Sequence, residues 1–204
     1  MESNLTPSLE TWKQQAGEKA RQIGHWLDRR QTQDAPYLVY GTLCGLSLWP
    51  LVEAAQTGQV LPVMMALGSV AGGVGGNLVA NQIQSWKEQA EPVNETVVAE
   101  WVAEHAPQNA ELRQSLDAIL DSLETLSQAQ NALSGADRQR FTETLQKELA
   151  ALGNLKRYEA VLFGSGAIAQ GPGAVAAGKG GVAVGGNVEG GIQIGGRAKD
   201  EDDE

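Results

Sequence analysis

Residues that carry most protein chemistry are scarce in this chain. It has one cysteine, Cys44, and two histidines, His25 and His105, among 204 residues. A lone thiol supports neither a disulfide framework nor a thiolate metal site. Neither histidine has a second ligand at metal spacing, and His105 follows Glu104 without the H-E-x-x-H arrangement. Aromatic residues make up 5% of the chain, with only two phenylalanines, so segments of differing character are expected rather than one large mixed core. Cations are also few. Fifteen Lys and Arg against 25 Asp and Glu leave a net charge of −10, and no segment concentrates the basic residues. That balance excludes nucleic acid as a partner. No compact apolar segment opens the chain, so a cytoplasmic protein without a signal peptide is expected.

Charge-free runs are what the chain has in place of these. Residues 1–33 read as an amphipathic helix with a stripe at Leu9, Trp12, Ala16, Ala20, Ile23 and Leu27, widened by Trp26. Such a helix packs on a partner helix or lies at a membrane interface. Residues 34–90 then hold two uncharged runs, Tyr37 to Val52 and Val60 to Ala80, joined by a short polar loop. The spacing predicts a helical hairpin. Its second limb meets the roughly 17–25 residues needed to cross a bilayer, and its first falls just short. Gly41 and Gly45 in the first limb, and Gly68, Gly72 and Gly76 in the second, recur every fourth residue. Small residues at that spacing let helices approach closely in lipid, whereas each costs about 1 kcal/mol relative to alanine in a water-exposed helix. Arg29, Arg30 and Lys87 flank the hairpin, which would put both ends in the cytoplasm at an inner membrane.

Residues 91–160 turn polar and helical. Asn94 caps a short helix that stops before Pro107. Leu112, Leu116, Ile119, Leu123 and Leu126 follow in alternating 4–3 spacing. That pattern is either a coiled-coil seam between chains or one helix of an ordinary bundle. A further helix from about Asp137 carries Phe141, Leu145, Leu149 and Leu152 on one side and stops at Gly153.

Residues 161–196 are glycine-rich with a seven-residue clock. Gly164, Gly171, Gly178 and Gly185 keep the period, and Ile168, Val175 and Val182 recur on it. A fixed period with a short apolar strand and a glycine corner predicts a β-roll or β-solenoid that closes only by oligomerisation, as a trimer or higher. Gly173 through Gly178-Lys179 nearly matches a phosphate-binding loop, but Gly180 replaces the required Ser or Thr and no helix follows. Residues 197–204 form an acidic tail. The expected fold is therefore mainly α, with a β-roll at its end. No catalytic residue, cofactor or metal site is expected.

The repeats, with units such as Gly-Ala-Ile-Ala-Gln-Gly-Pro, resemble the head repeats of trimeric autotransporter adhesins. The resemblance implies short strands from several chains closing one small core. Gly72 to Ala80, the leucine-rich helices and Gly181 to Val188 together look like regions of bacterial conflict-system proteins. That likeness implies an oligomerising or membrane-acting part of a defence or signalling complex. The expectation is a non-enzymatic, self-assembling protein that anchors to or perturbs a membrane through clustered hairpins, with lipid or another protein as partner. The alternative is a soluble oligomeric scaffold with the hairpin buried in its core. An enzyme with an unrecognised site stands third.

Overall fold

The computed structural model describes residues 8–30, 36–89 and 93–163. Ten α-helices and one 3-10 turn make up its regular structure, with no strand among the described residues. The chain divides into two units, residues 1–155 and 156–204. Helices α1 to α9 build the first, and α10, Leu155–Phe163, opens the second. The mainly α fold and its helical bundle agree with the sequence. The β-roll repeats, with Ile168, Val175 and Val182, and the acidic tail lie outside the described residues.

α3, Leu38–Gln56, is the axis of the first unit. It touches every other helix of that unit. Fourteen of its 19 residues are buried, on all sides of the helix. A helix that is apolar all round must be covered all round, and here protein supplies the cover. Among the described residues α3 is also the one helix long and apolar enough to cross a membrane. Length and composition admit both roles, but in this fold its apolar surface faces other helices.

Around α3 the chain winds as a series of shorter helices. α1, Leu9–Ala20, starts at Ser8, whose hydroxyl accepts the Thr11 amide at 3.2 Å. The N-terminal stripe continues into α2, Ile23–Arg30, after a turn at Arg21 and Gln22. Trp12, Ala16, Ala20 and Ile23 are fully buried against the bundle, so this stripe is core rather than an interfacial face. α3 continues through Pro50, which has no amide hydrogen and so strips the Leu46 carbonyl of its helical donor. One residue along, the Ser47 carbonyl accepts the Trp12 indole N–H at 2.6 Å. The Ser47 hydroxyl meets Thr125 Oγ1 at 2.8 Å, which ties α1, α3 and α8 (Thr125–Ala132) at one buried polar point.

The second uncharged run does not form one helix. α4 covers Val60–Val70 and α5 covers Gly73–Glu88. Between them Ala71 leaves the helix, Gly72 is extended, and Gly73 has φ of 75°, a conformation that glycine reaches without strain. The hairpin expectation is thus corrected in its second limb. Five glycines in 21 residues weaken helix propensity enough for an elbow to form, and outside lipid nothing compels a continuous helix.

α6, Glu95–His105, begins at the expected cap. Asn94 Oδ1 accepts the Thr96 and Val97 amides at 2.9 and 3.1 Å. A 3-10 turn at Ala106–Gln108 leads into α7, Ala110–Ser122. Of the two readings of the leucine stripe, the bundle holds here rather than a continuous coiled-coil seam. A turn at Leu123 and Glu124, with Glu124 at φ 54°, separates α7 from α8. Leu112, Leu116, Ile119, Leu123 and Leu126 are all 4% exposed or less within the chain's own bundle. Apolar 4–3 spacing specifies a buried stripe, not whose helix buries it. α9, Gly135–Leu152, buries the expected Phe141, Leu145, Leu149 and Leu152. Gly153, at φ 76°, ends it, and its amide and that of Asn154 return to the last turn of the helix.

Candidate interaction surface

The glycines singled out by their spacing do three different things. Gly41 and Gly45 form the bed on which α6 lies. A Cβ at Gly41 would sit 2.6 Å from the Ala99 carbonyl oxygen, and one at Gly45 would sit 3.0 Å from the Ala99 Cβ. Gly76 is closed against the carbonyl of Ala71 at the elbow. Its neighbour Gly75 lets α5 lie against α7, with Ser115 Oγ 2.5 Å from where a Cβ would stand. Gly68 and Gly72 have nothing within 4 Å of that position. The spacing therefore marks no single seam between two limbs. The α3 glycines receive α6, and Gly68 and Gly72 open outward.

Exposed large apolar side chains stand on α4 and at the start of α5, on either side of those two open glycines in the chain. Leu61 is 71% exposed, Met65 69% and Val74 58%. Leu61, Met65 and Gly68 fall at intervals of four and three along one line of α4, Val60–Val70, and Gly72 follows in the extended elbow beyond its end. Val63, Ala66 and Leu67 fill the opposite side of α4 and are buried. The sequence has no charge from Ala54 through Trp86, so α4 itself contributes none, and Glu111 of α7 borders the hollow beside Gly72 and Val74. Leaving large apolar side chains in water forgoes about 1.5–3 kcal/mol each, and a contiguous patch of them marks a contact site more often than single exposed residues do.

Hydropathy alone could not isolate Leu61 and Met65, since both sides of α4 are apolar. Their exposure appears only when α3 and α7 are seen to take the other side.

A second group missed in the sequence is polar and buried. Asp117 on α7 accepts the Tyr40 hydroxyl at 2.9 Å and the Asn154 amide nitrogen at 3.1 Å on each carboxylate oxygen. Glu148 on α9 accepts the backbone amides of Val39 and Tyr40 at 3.1 and 2.7 Å. These bonds satisfy the first turn of α3, whose own N-cap, Tyr37, is left-handed and offers no side-chain acceptor. Burial raises the Glu148 carboxyl above its ordinary value of 4.5, against the opposing effect of those backbone hydrogen bonds. Burial also pushes the Cys44 thiol well above 9.0, with the Asp117 charge adding to it. A protonated, enclosed thiol is a poor nucleophile. This group holds α3 in place. Its acids serve backbone amides, a phenol and a carboxamide.

No protein-family model matches this chain, and no curated protein or solved structure is significantly similar to it. With no strand among the described residues and no match to either group, the resemblances to trimeric adhesin repeats and to conflict-system proteins are withdrawn. The seven-residue clock is low in complexity, and glycine–alanine–valine repeats arise in unrelated chains.

Proposed function

We propose that this protein is a non-enzymatic helical scaffold that self-associates through the outer face of α4. The observation that carries the reading is the pairing of exposed knobs, Leu61 and Met65, with an open hole, Gly68, on one line of α4. Knobs and a hole on the same helix are self-complementary, as a two-fold contact between identical copies requires. Seating a large side chain over the mate's glycine would recover about 1.5–3 kcal/mol of apolar burial per residue. The buried α3 supports the scaffold form over the spanning form, since its apolar surface already has protein partners.

A second reading, peripheral attachment of α4 to a bilayer, is favoured by the same uncharged helix. It is disfavoured by the chain's net charge of −10, which anionic lipid repels, and by the lack of Lys or Arg on the patch.

The test is native mass by light scattering, with Leu61→Glu and Met65→Glu as variants. The expected result is a multiple of 21.5 kDa for the wild type and the single-chain mass for each variant. A wild type at single-chain mass at the highest reachable concentration overturns the scaffold reading. Flotation of the wild type with zwitterionic vesicles, lost in both variants, would put the bilayer reading in its place.

A further inference from the structure

A different face of the first unit carries a cleft of about 430 Å3 between α5 and the corner joining α6 to α7. That volume lies in the roughly 300–1,000 Å3 range of small-molecule sites. Its base is apolar, with buried Leu112 and half-buried Leu78. Trp101 and His105 form one wall. Their rings stack with centroids 5.2 Å apart and planes inclined by 24°. The His105 Nδ1 lies 2.9 Å from the Trp101 carbonyl oxygen. As donor to that carbonyl it fixes the ring's orientation. Trp86, nearly fully buried, braces Trp101 edge to face at 5.5 Å. The pair of rings is therefore held from behind rather than free to rearrange.

The remaining lining is made of carboxamides. Asn81, Gln82 and Gln108 face the cleft, and none of the three makes a side-chain hydrogen bond among the described residues. Asn109 caps α7 through its carbonyl, which accepts the Leu112 amide at 2.9 Å, so its NH2 is the part left to donate. Among the described residues no Asp, Glu, Lys or Arg lines the cleft. Each carboxamide offers a donor and an acceptor side by side, which matches a pair of neighbouring hydroxyls on a ring.

We infer that this cleft is a binding site for a neutral saccharide, with Asn81, Gln82 and Gln108 hydrogen-bonding ring hydroxyls and the Trp101–His105 pair taking an apolar ring face. The described lining holds no Lys or Arg, in a protein of net charge −10, which disfavours phosphorylated and carboxylated ligands. A neutral nucleobase fits less well. A flat base is gripped best between two parted aromatic faces, and here the two rings are stacked on each other and present one. A pyranose needs one aromatic face under its C–H groups and amides around its rim. The site does not depend on α4, so self-association and saccharide binding can fail separately.

The experiment is a titration of the 15N-labelled full chain with glucose, galactose, mannose, N-acetylglucosamine, cellobiose and chitobiose, followed by backbone amide shifts. The expected result is saturable shifts at Asn81, Gln82, His105 and Asn109 with at least one sugar, with affinity of about millimolar order. The double variant Asn81→Leu/Gln108→Leu changes two exposed side chains, and an unchanged thermal melt would show its fold intact. It should bind at least about tenfold more weakly, the loss expected for two hydrogen bonds, while Leu61→Glu binds as the wild type does. No shift with any sugar, shifts elsewhere, or equal binding by the double variant overturns the inference. So does binding of adenosine or uridine where every sugar fails.

Discussion

Glu148 caps a helix whose Tyr40 amide lies 108 residues before it in the chain. Its carboxylate receives the Tyr40 amide at 2.7 Å and the Val39 amide at 3.1 Å, at the start of α3, the helix at the centre of the first unit. A carboxylate at a helix N-terminus is favoured by both the free amides and the helix dipole. It is opposed here by burial, which prevails and raises the Glu148 pKa.

Glu148→Ala should therefore destabilise the fold by about 2 kcal/mol, the cost of leaving buried amides uncapped. Glu148→Gln keeps an acceptor oxygen and removes the buried charge. The pH dependence follows from the direction of the shift. A carboxyl whose pKa is raised on folding contributes stability below its ordinary value of 4.5 and loses that contribution as pH climbs through the raised value. Wild type and Glu148→Gln should match at pH 4, and the wild type should fall behind by pH 8. Urea unfolding at the two pH values checks this, and a wild type that gains on the variant as pH rises would contradict it.

The glycines supply a contrast within one sequence pattern. Gly41→Ala places a Cβ 2.6 Å from the Ala99 carbonyl oxygen, so α6 must move off α3. The expected loss is about 1–3 kcal/mol, the range for overpacking a core. Gly68→Ala meets nothing within 4 Å and sits inside α4. It should gain about 0.5–1 kcal/mol from helix propensity and a less flexible unfolded chain. Thermal melts of the two variants should move in opposite directions.

Cys44 is 1% exposed and its pKa is raised well above 9.0, chiefly by burial. Iodoacetamide at pH 8 should leave it unmodified in the native protein and label it after unfolding in urea. The rate should follow global unfolding, since α3 sits at the centre of the bundle. Rapid native labelling would show that α3 is far more accessible than its packing implies.

Some helix starts and stops were legible in the residues themselves. Ser8 and Asn94 accept amides of the first turns they precede, and Gly153 adopts the left-handed conformation that ends α9. These are local effects, set by one side chain and the three or four residues beside it. The stripe through Leu112, Leu116, Ile119, Leu123 and Leu126 was equally plain as something to be buried. Its owner was not, because period reports that a face is apolar and says nothing of which chain covers it. The two charge-free runs show the same limit. By length the second was the candidate to cross a bilayer, yet it breaks at Gly72 and Gly73, and the shorter first run extends to Gln56 as the central helix. Hydropathy is summed along the chain, whereas burial is decided by what packs around it. Only the tertiary structure could bring Glu148 to Tyr40, lay Ala99 on Gly45, and leave Leu61 and Met65 facing outward.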